Sequence, residues 1–190
     1  NARVSARLKY LVLISLCVAT AIDATAEEII SLALPIKCQP GVSCFFQNYV
    51  DHDASDKVRD YRCGGRSYNG HDGTDIRIRN LEIQRQGVEV LAAAPGRVLG
   101  GRNDMEDVSV QTAGKAAIAG KECGNGVVIE HAGGWRTQYC HMAKGSVRVK
   151  AGDRMTTGQP IGLVGLSGDT EFFHLHFTVR HRGKIVDPFA

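Results

Sequence analysis

The run Phe172-Phe173-His174-Leu175-His176-Phe177-Thr178-Val179-Arg180 holds residues whose type and spacing can do chemistry. Phe173, Leu175, Phe177 and Val179 fall on one side of an extended chain, and His174, His176, Thr178 and Arg180 on the other, the period of a half-buried strand. Two imidazoles on one strand face stand about 6–7 Å apart. That is a rigid support for a metal ion, or for a metal ion and a base. A His-x-His pair alone does not make a metal site, so partners are required elsewhere. They exist in Gly70-His71-Asp72-Gly73-Thr74-Asp75 and in Gln138-Tyr139-Cys140-His141-Met142.

His71 and Asp75 are four residues apart. Fully extended, that spacing separates them by about 13 Å, too far to share one ion whose ligands lie near 2 Å from it. A helix would suit the spacing, but Gly70, Gly73 and the alternating Ile76-Arg77-Ile78-Arg79 argue against one. The segment is therefore expected to be a tight loop folded at Gly73 and running into a strand.

The elements that must position these groups read as β. From Tyr68 onward, Ile76–Arg79, Val88–Ala93, Gly96–Leu99, Val127–Glu130, Arg136–Tyr139, Val147–Lys150 and Pro160–Gly165 are candidate strands, with a hairpin turn at Gly133-Gly134. An amphipathic helix is suggested only around Met105 to Gln111. With 22 glycines at regular turn spacing, the expected class is all-β, an antiparallel sandwich or partly open barrel.

The 190 residues allow one domain with additions. The net charge of +3 owes much to Arg3, Arg7 and Lys9, which precede the first acidic residue, Asp23. Without them the balance is near zero, so nothing points to nucleic acid as a partner. Those cations, the apolar run Tyr10–Ile22 and Ala24-Thr25-Ala26 read as a secretion signal over residues 1–26. The apolar run has 13 residues where a membrane span needs about 20, and Leu16 before Cys17 is too large for a typical lipid-attachment site. No stable membrane anchor is expected after signal removal, and the expected location is the periplasm. The first residue is Asn rather than Met and the last strand ends close to Ala190, so the sequence reads as a piece of a longer one.

Losing the signal removes Cys17 and leaves Cys38, Cys44, Cys63, Cys123 and Cys140 where disulfides can form. Cys123 and Cys140 flank the hairpin and are the best pair, provided Gly124-Asn125-Gly126 bends. Cys38, Cys44 and Cys63 offer one bridge and one thiol in three ways. Residues 27–67 read as an irregular, cysteine-containing N-terminal extension, with Asp51-His52-Asp53 a solvated loop.

Taken together, Gly70-His71-x-Gly73-Thr74-Asp75, Tyr139-x-His141 and His174-x-His176 resemble the signature of the lysostaphin-type zinc metallopeptidases, the LytM or murein endopeptidase family. The resemblance spans about Tyr68 to Phe189 and includes Val90–Val98, Gly126–His131 and Gly152–Gly168, so residues 68–190 are expected to form the zinc metallopeptidase domain. It implies a β-rich, partly open barrel crossed by a groove, with His71, Asp75 and His176 binding one Zn²⁺ and His141 and His174 beside a zinc-activated water. No Glu stands in a His-Glu-x-x-His motif, so a histidine must be the base: His174 is favoured, with His141 stabilising the oxyanion, and the roles are exchangeable. Tyr139, on the same expected strand face as His141, is either a phenolic donor or packing. His131 and His181 match no ligand position. The implied substrate is the peptide cross-link of bacterial peptidoglycan. The alternative is a non-catalytic, wall-binding activator of an amidase, but such members typically lack ligands and here every position is filled.

Overall fold

The computed structural model describes residues 29–190; the expected secretion signal lies outside the described residues. In chain order the elements are β1 (Cys44–Asn48), β2 (Thr74–Ile78), α1 (Leu81–Arg85), β3 (Glu89–Leu91), β4 (Gly96–Arg102), α2 (Val110–Ala113), α3 (Lys115–Ile118), β5 (Asn125–Glu130), β6 (Trp135–Met142), β7 (Arg154–Met155), β8 (Pro160–Leu163), β9 (His174–His181) and β10 (Lys184–Val186). One antiparallel sheet runs β1-β2-β9-β6-β5-β4-β7, with β10 beside β9, and β3 pairs with β8 separately. The sheet does not close, so the expected partly open antiparallel architecture holds; the expected all-β class becomes mostly β, since the short helices α1, α2 and α3 join it.

The alternation read from the sequence decides which face is core. Leu175, Phe177 and Val179 of β9 are buried with Tyr139 of β6, Ile76 of β2, Val127 and Ile129 of β5, and Ile161 of β8. Each such side chain withdrawn from water contributes about 1.5–3 kcal/mol. The opposite face of β9 carries His174 and His176, held in place by that anchoring.

Several local expectations change. Val147–Lys150 is not a strand: Val147 N–H donates to the Asn103 side chain and only Arg148 N–H reaches the Ile161 carbonyl, so no ladder forms. Met105 to Val108 is irregular, and α2 begins at Val110 under a Ser109 cap. Helix α1, too short for a periodic signal, starts where the Asn80 side chain accepts from Ile83 N–H. The N-terminal extension is largely irregular but contributes β1, because Cys44 and Phe46 bury one face against β2 while Phe45 stays outward.

Cys38–Cys44 and Cys123–Cys140 are bridged, and Cys63 is the exposed thiol. The bend required for the second bridge is present: Gly124 has φ +67° and the β5–β6 register slips between Asn125 and Val127. Tyr49 and Tyr61 pack edge-on or tilted against Phe189, and His52 pairs with Asp187, tying the extension to the C-terminal segment.

Candidate metal centre

Register brings the distant motifs together. In the β2–β9 ladder Asp75 lies directly opposite His176, and in the β6–β9 ladder Cys140 lies opposite His176. Side chains at directly opposed positions share a face. The loop before β2 then lays His71 across the same point. Gly73 makes this possible: a Cβ there would lie 2.7 Å from His176 Nε2 and 2.8 Å from the Phe177 carbonyl oxygen.

Hydrogen-bond partners fix the ring tautomers. His71 Nδ1 is 2.7 Å from the Tyr49 carbonyl oxygen, which can only accept, so Nδ1 carries the proton and Nε2 is bare. His176 Nε2 is 3.1 Å from Asp72 Oδ1 and 3.1 Å from Thr178 Oγ1. Donation to the Asp72 carboxylate leaves His176 Nδ1 as the nitrogen that faces inward. The inward atoms, His71 Nε2, Asp75 Oδ1 and His176 Nδ1, lie 3.2, 3.1 and 3.0 Å from one another. Three electron-pair donors at such separations repel unless a cation or a shared proton lies among them. A triangle of that size has a point about 2.0–2.1 Å from all three corners, the span of zinc–nitrogen and zinc–carboxylate bonds. Two imidazoles and one carboxylate also form a donor set typical of catalytic zinc, with coordination positions to spare.

The titration behaviour agrees. Burial pushes the Asp75 carboxyl up, but its contacts with the rings of His174, His176 and His71 more than offset it and hold Asp75 far below the usual carboxylate range. For His176, burial works against the charged ring, yet hydrogen bonds to Asp72 and Asp75 raise it to about 9. In the metal-free chain those carboxylates keep a proton on His176, and a cation held among the three residues would take that proton's place.

The other two histidines stand alongside. His141 Nδ1 donates to the Ser167 carbonyl at 2.8 Å, leaving Nε2 bare. Its ring centroid is 4.7 Å from that of His174 and 5.9 Å from that of His176. Burial, then the neighbouring His174 and His176, lower the His141 pKa well below the usual imidazole value, so its ring is neutral. His174 Nδ1 lies 3.0 Å from the Phe172 carbonyl and 3.1 Å from Thr170 Oγ1, while Nε2 sits 3.3 Å from Asp75 Oδ1.

Tyr139 and His141 do not share a face. His141 has φ +61°, a left-handed backbone costing about 1–2 kcal/mol for a residue with a Cβ. That turn breaks the alternation of β6 and swings the imidazole to the side of Cys140 and His176. The turn is held by His141 N–H donating to the Cys123 carbonyl and by Gly165 N–H donating to the His141 carbonyl. Tyr139 stays in the core, its hydroxyl accepting from Ala93 N–H and Thr137 Oγ1, so it is packing and no donor to the site. His131 is likewise structural, between the Pro95 carbonyl and Thr137 Oγ1, and His181 stacks on Trp135.

Three contributors were missed from the sequence. Asp72 holds His176 Nε2, Arg180 donates to Asp72 Oδ2 at 2.8 Å and to Gln138 Oε1 at 2.7 Å, and Asn48 donates to Asp75 Oδ2 at 3.0 Å. Arg180 was legible as lying on the His176 face of the strand; nothing local marked its partner.

Residues 69–188 match the sequence profile described as peptidase family M23. The chain is 33% identical over 129 residues to the cell division protein DipM of Caulobacter vibrioides, covering 63% of this chain and 18% of DipM. It is 41% identical over 64 residues to the peptidoglycan DD-endopeptidase ShyA of Vibrio cholerae, covering 34% of this chain and 14% of ShyA. It thus spans less than a fifth of either relative. Among solved structures, a chain in the crystal structure of the SpoIIIAH and SpoIIQ complex superposes with a TM-score of 0.56 at 20% identity, covering 83% of this chain and 97% of that one. At that identity the likeness concerns the fold alone.

Proposed function

The chain belongs to peptidase family M23, and from that premise we propose that it is a zinc metalloendopeptidase hydrolysing peptide cross-links of bacterial peptidoglycan. The observation that carries this reading is the convergence of three ligand-type atoms, on His71, Asp75 and His176, within 3.2 Å of one another. Zinc held there would polarise a scissile carbonyl and ease deprotonation of an attacking water.

The chain's own residues supply the proton transfers. His141, neutral and bare at Nε2, accepts a proton from the water, and the Ser167 carbonyl holds the ring in that tautomer. His174 Nε2 stands 3.3 Å from Asp75 Oδ1, on the metal side of the ring, and is the group placed to stabilise the carbonyl oxygen as that oxygen gains charge. The proton taken by His141 is returned to the leaving amine. This assignment exchanges the two roles favoured from the sequence; both rings are buried with Nδ1 on a backbone carbonyl, and what differs is that only His174 turns Nε2 to the Asp75 carboxylate, a contact not legible in their spacing.

The groove floor beside the centre is lined by Tyr68, Gln138, Cys140, Thr178 and Arg180, a polar surface suited to a peptide backbone. Among the described residues no helix is long and apolar enough to cross a membrane. Together with the expected secretion signal, a periplasmic location fits this activity. Zinc analysis of the purified protein and muropeptide profiles of digested sacculi, for wild type and His176→Ala, test the reading. One zinc per chain and loss of cleavage in the variant are expected. An unaltered digestion pattern would defeat it, and zinc binding without any digestion would favour a wall-binding activator.

A further inference from the structure

The matched family region begins at residue 69, but hydrogen bonds to two of the three ligands come from before it. β1 pairs with β2 in regular register through Cys44, Phe45 and Phe46, and then slips by one residue so that Asn48, not Gln47, stands opposite Asp75. Such a bulge reverses which face the next side chain occupies. Phe46 enters the core, and Asn48, two residues on, turns instead to the site, where Nδ2 donates to Asp75 Oδ2 at 3.0 Å. That bond occupies the outer carboxylate oxygen and leaves Oδ1 directed at His71 Nε2 and His176 Nδ1.

The next residues brace His71. The Tyr49 carbonyl accepts from Nδ1, Asp51 N–H donates to the His71 carbonyl at 2.8 Å, and Asp51 Oδ2 accepts from Gly70 N–H at 3.0 Å. Tyr49 is itself seated by its N–H bond to the Arg66 carbonyl and by Ser67 Oγ donating to its own carbonyl. Ligand orientation is thus set from both sides of the His71–Asp75 loop by a segment outside the catalytic domain proper.

We propose that residues 48–51 of the N-terminal extension position the zinc ligands, with Asn48 the positioning residue for Asp75. The proposal rests on the zinc reading above. Outer hydrogen bonds of this kind orient ligands and are worth about 10–100-fold in metal affinity.

The test is competition for zinc against a chromophoric chelator, with the visible spectrum of the cobalt-substituted protein as a second readout. Wild type is compared with Asn48→Ala, Asn48→Leu and a control in the same strand, Gln47→Ala, whose side chain accepts from Arg77 Nη1 away from the ligands. Melting of the zinc-free proteins verifies folding, and Asn48→Leu, of similar volume and suited to a strand, decides if the alanine variant does not fold. Zinc affinity about 10–100-fold weaker and an altered cobalt spectrum in the Asn48 variants, with Gln47→Ala like wild type, are expected. Unchanged affinity in a folded Asn48 variant, or an equal loss in Gln47→Ala, would overturn this inference and leave the zinc reading standing. Absence of zinc binding by wild type would overturn both.

Discussion

His176 and His141 are buried in the same centre, with ring centroids 5.9 Å apart, yet their pKa values move in opposite directions. His176 rises to about 9 because Asp72 and Asp75 outweigh its burial; His141 falls because burial dominates and its outer nitrogen meets only the Ser167 carbonyl. Both partners fix a tautomer. Only the carboxylate adds charge. On the proposed reading, the His176 flank of the centre would attract a cation, and the His141 flank would keep a neutral ring able to take up a proton.

The largest break in this comparison comes from the ligand flank. His176→Ala removes one of three donors, and cleavage is expected to fall by at least ~10³-fold along with loss of stoichiometric zinc. His141→Ala should separate the flanks: cleavage falls about 10²–10⁴-fold while one zinc per chain is retained, as measured by metal analysis of the active fraction. Loss of zinc in that variant would show the flanks to be one unit.

Asp72→Asn keeps the shape of the outer partner and removes its charge. Zinc affinity should drop about 10–100-fold in chelator competition, with the His141-dependent proton step left in place. The subtlest effect is on protons. Because His176 is held protonated up to about pH 9 in the metal-free chain, zinc must displace that proton, so affinity rises with pH toward 9 and levels off above it. Calorimetry in buffers of differing ionisation enthalpy should find about one proton released at pH 7 in wild type, and the levelling-off should move to lower pH in Asp72→Asn.

The parts legible in the sequence are those encoded by local period. The alternation of residues 173–180 correctly divided core from site, and Gly124 and Gly126 correctly permitted the Cys123–Cys140 bridge. What escaped depends on register and on backbone atoms. Asp75 meets His176 across 101 positions, and Asp72 meets Arg180 across 108, because β2 and β9 pair in one register out of several. The carbonyls of Tyr49, Ser167 and Phe172 belong to no motif, since every residue has one. His141 was assigned to the face of Tyr139 by strict alternation, and a left-handed backbone at one residue undid that. The bulge that aims Asn48 at Asp75 is invisible for the same reason.

X-ray absorption at the zinc edge tests the centre most directly. Two imidazole nitrogens and one carboxylate oxygen at about 2.0–2.1 Å, with solvent completing the shell and no sulfur, are expected for wild type. A sulfur shell near 2.3 Å, or a third imidazole in place of the carboxylate, would contradict convergence on His71, Asp75 and His176.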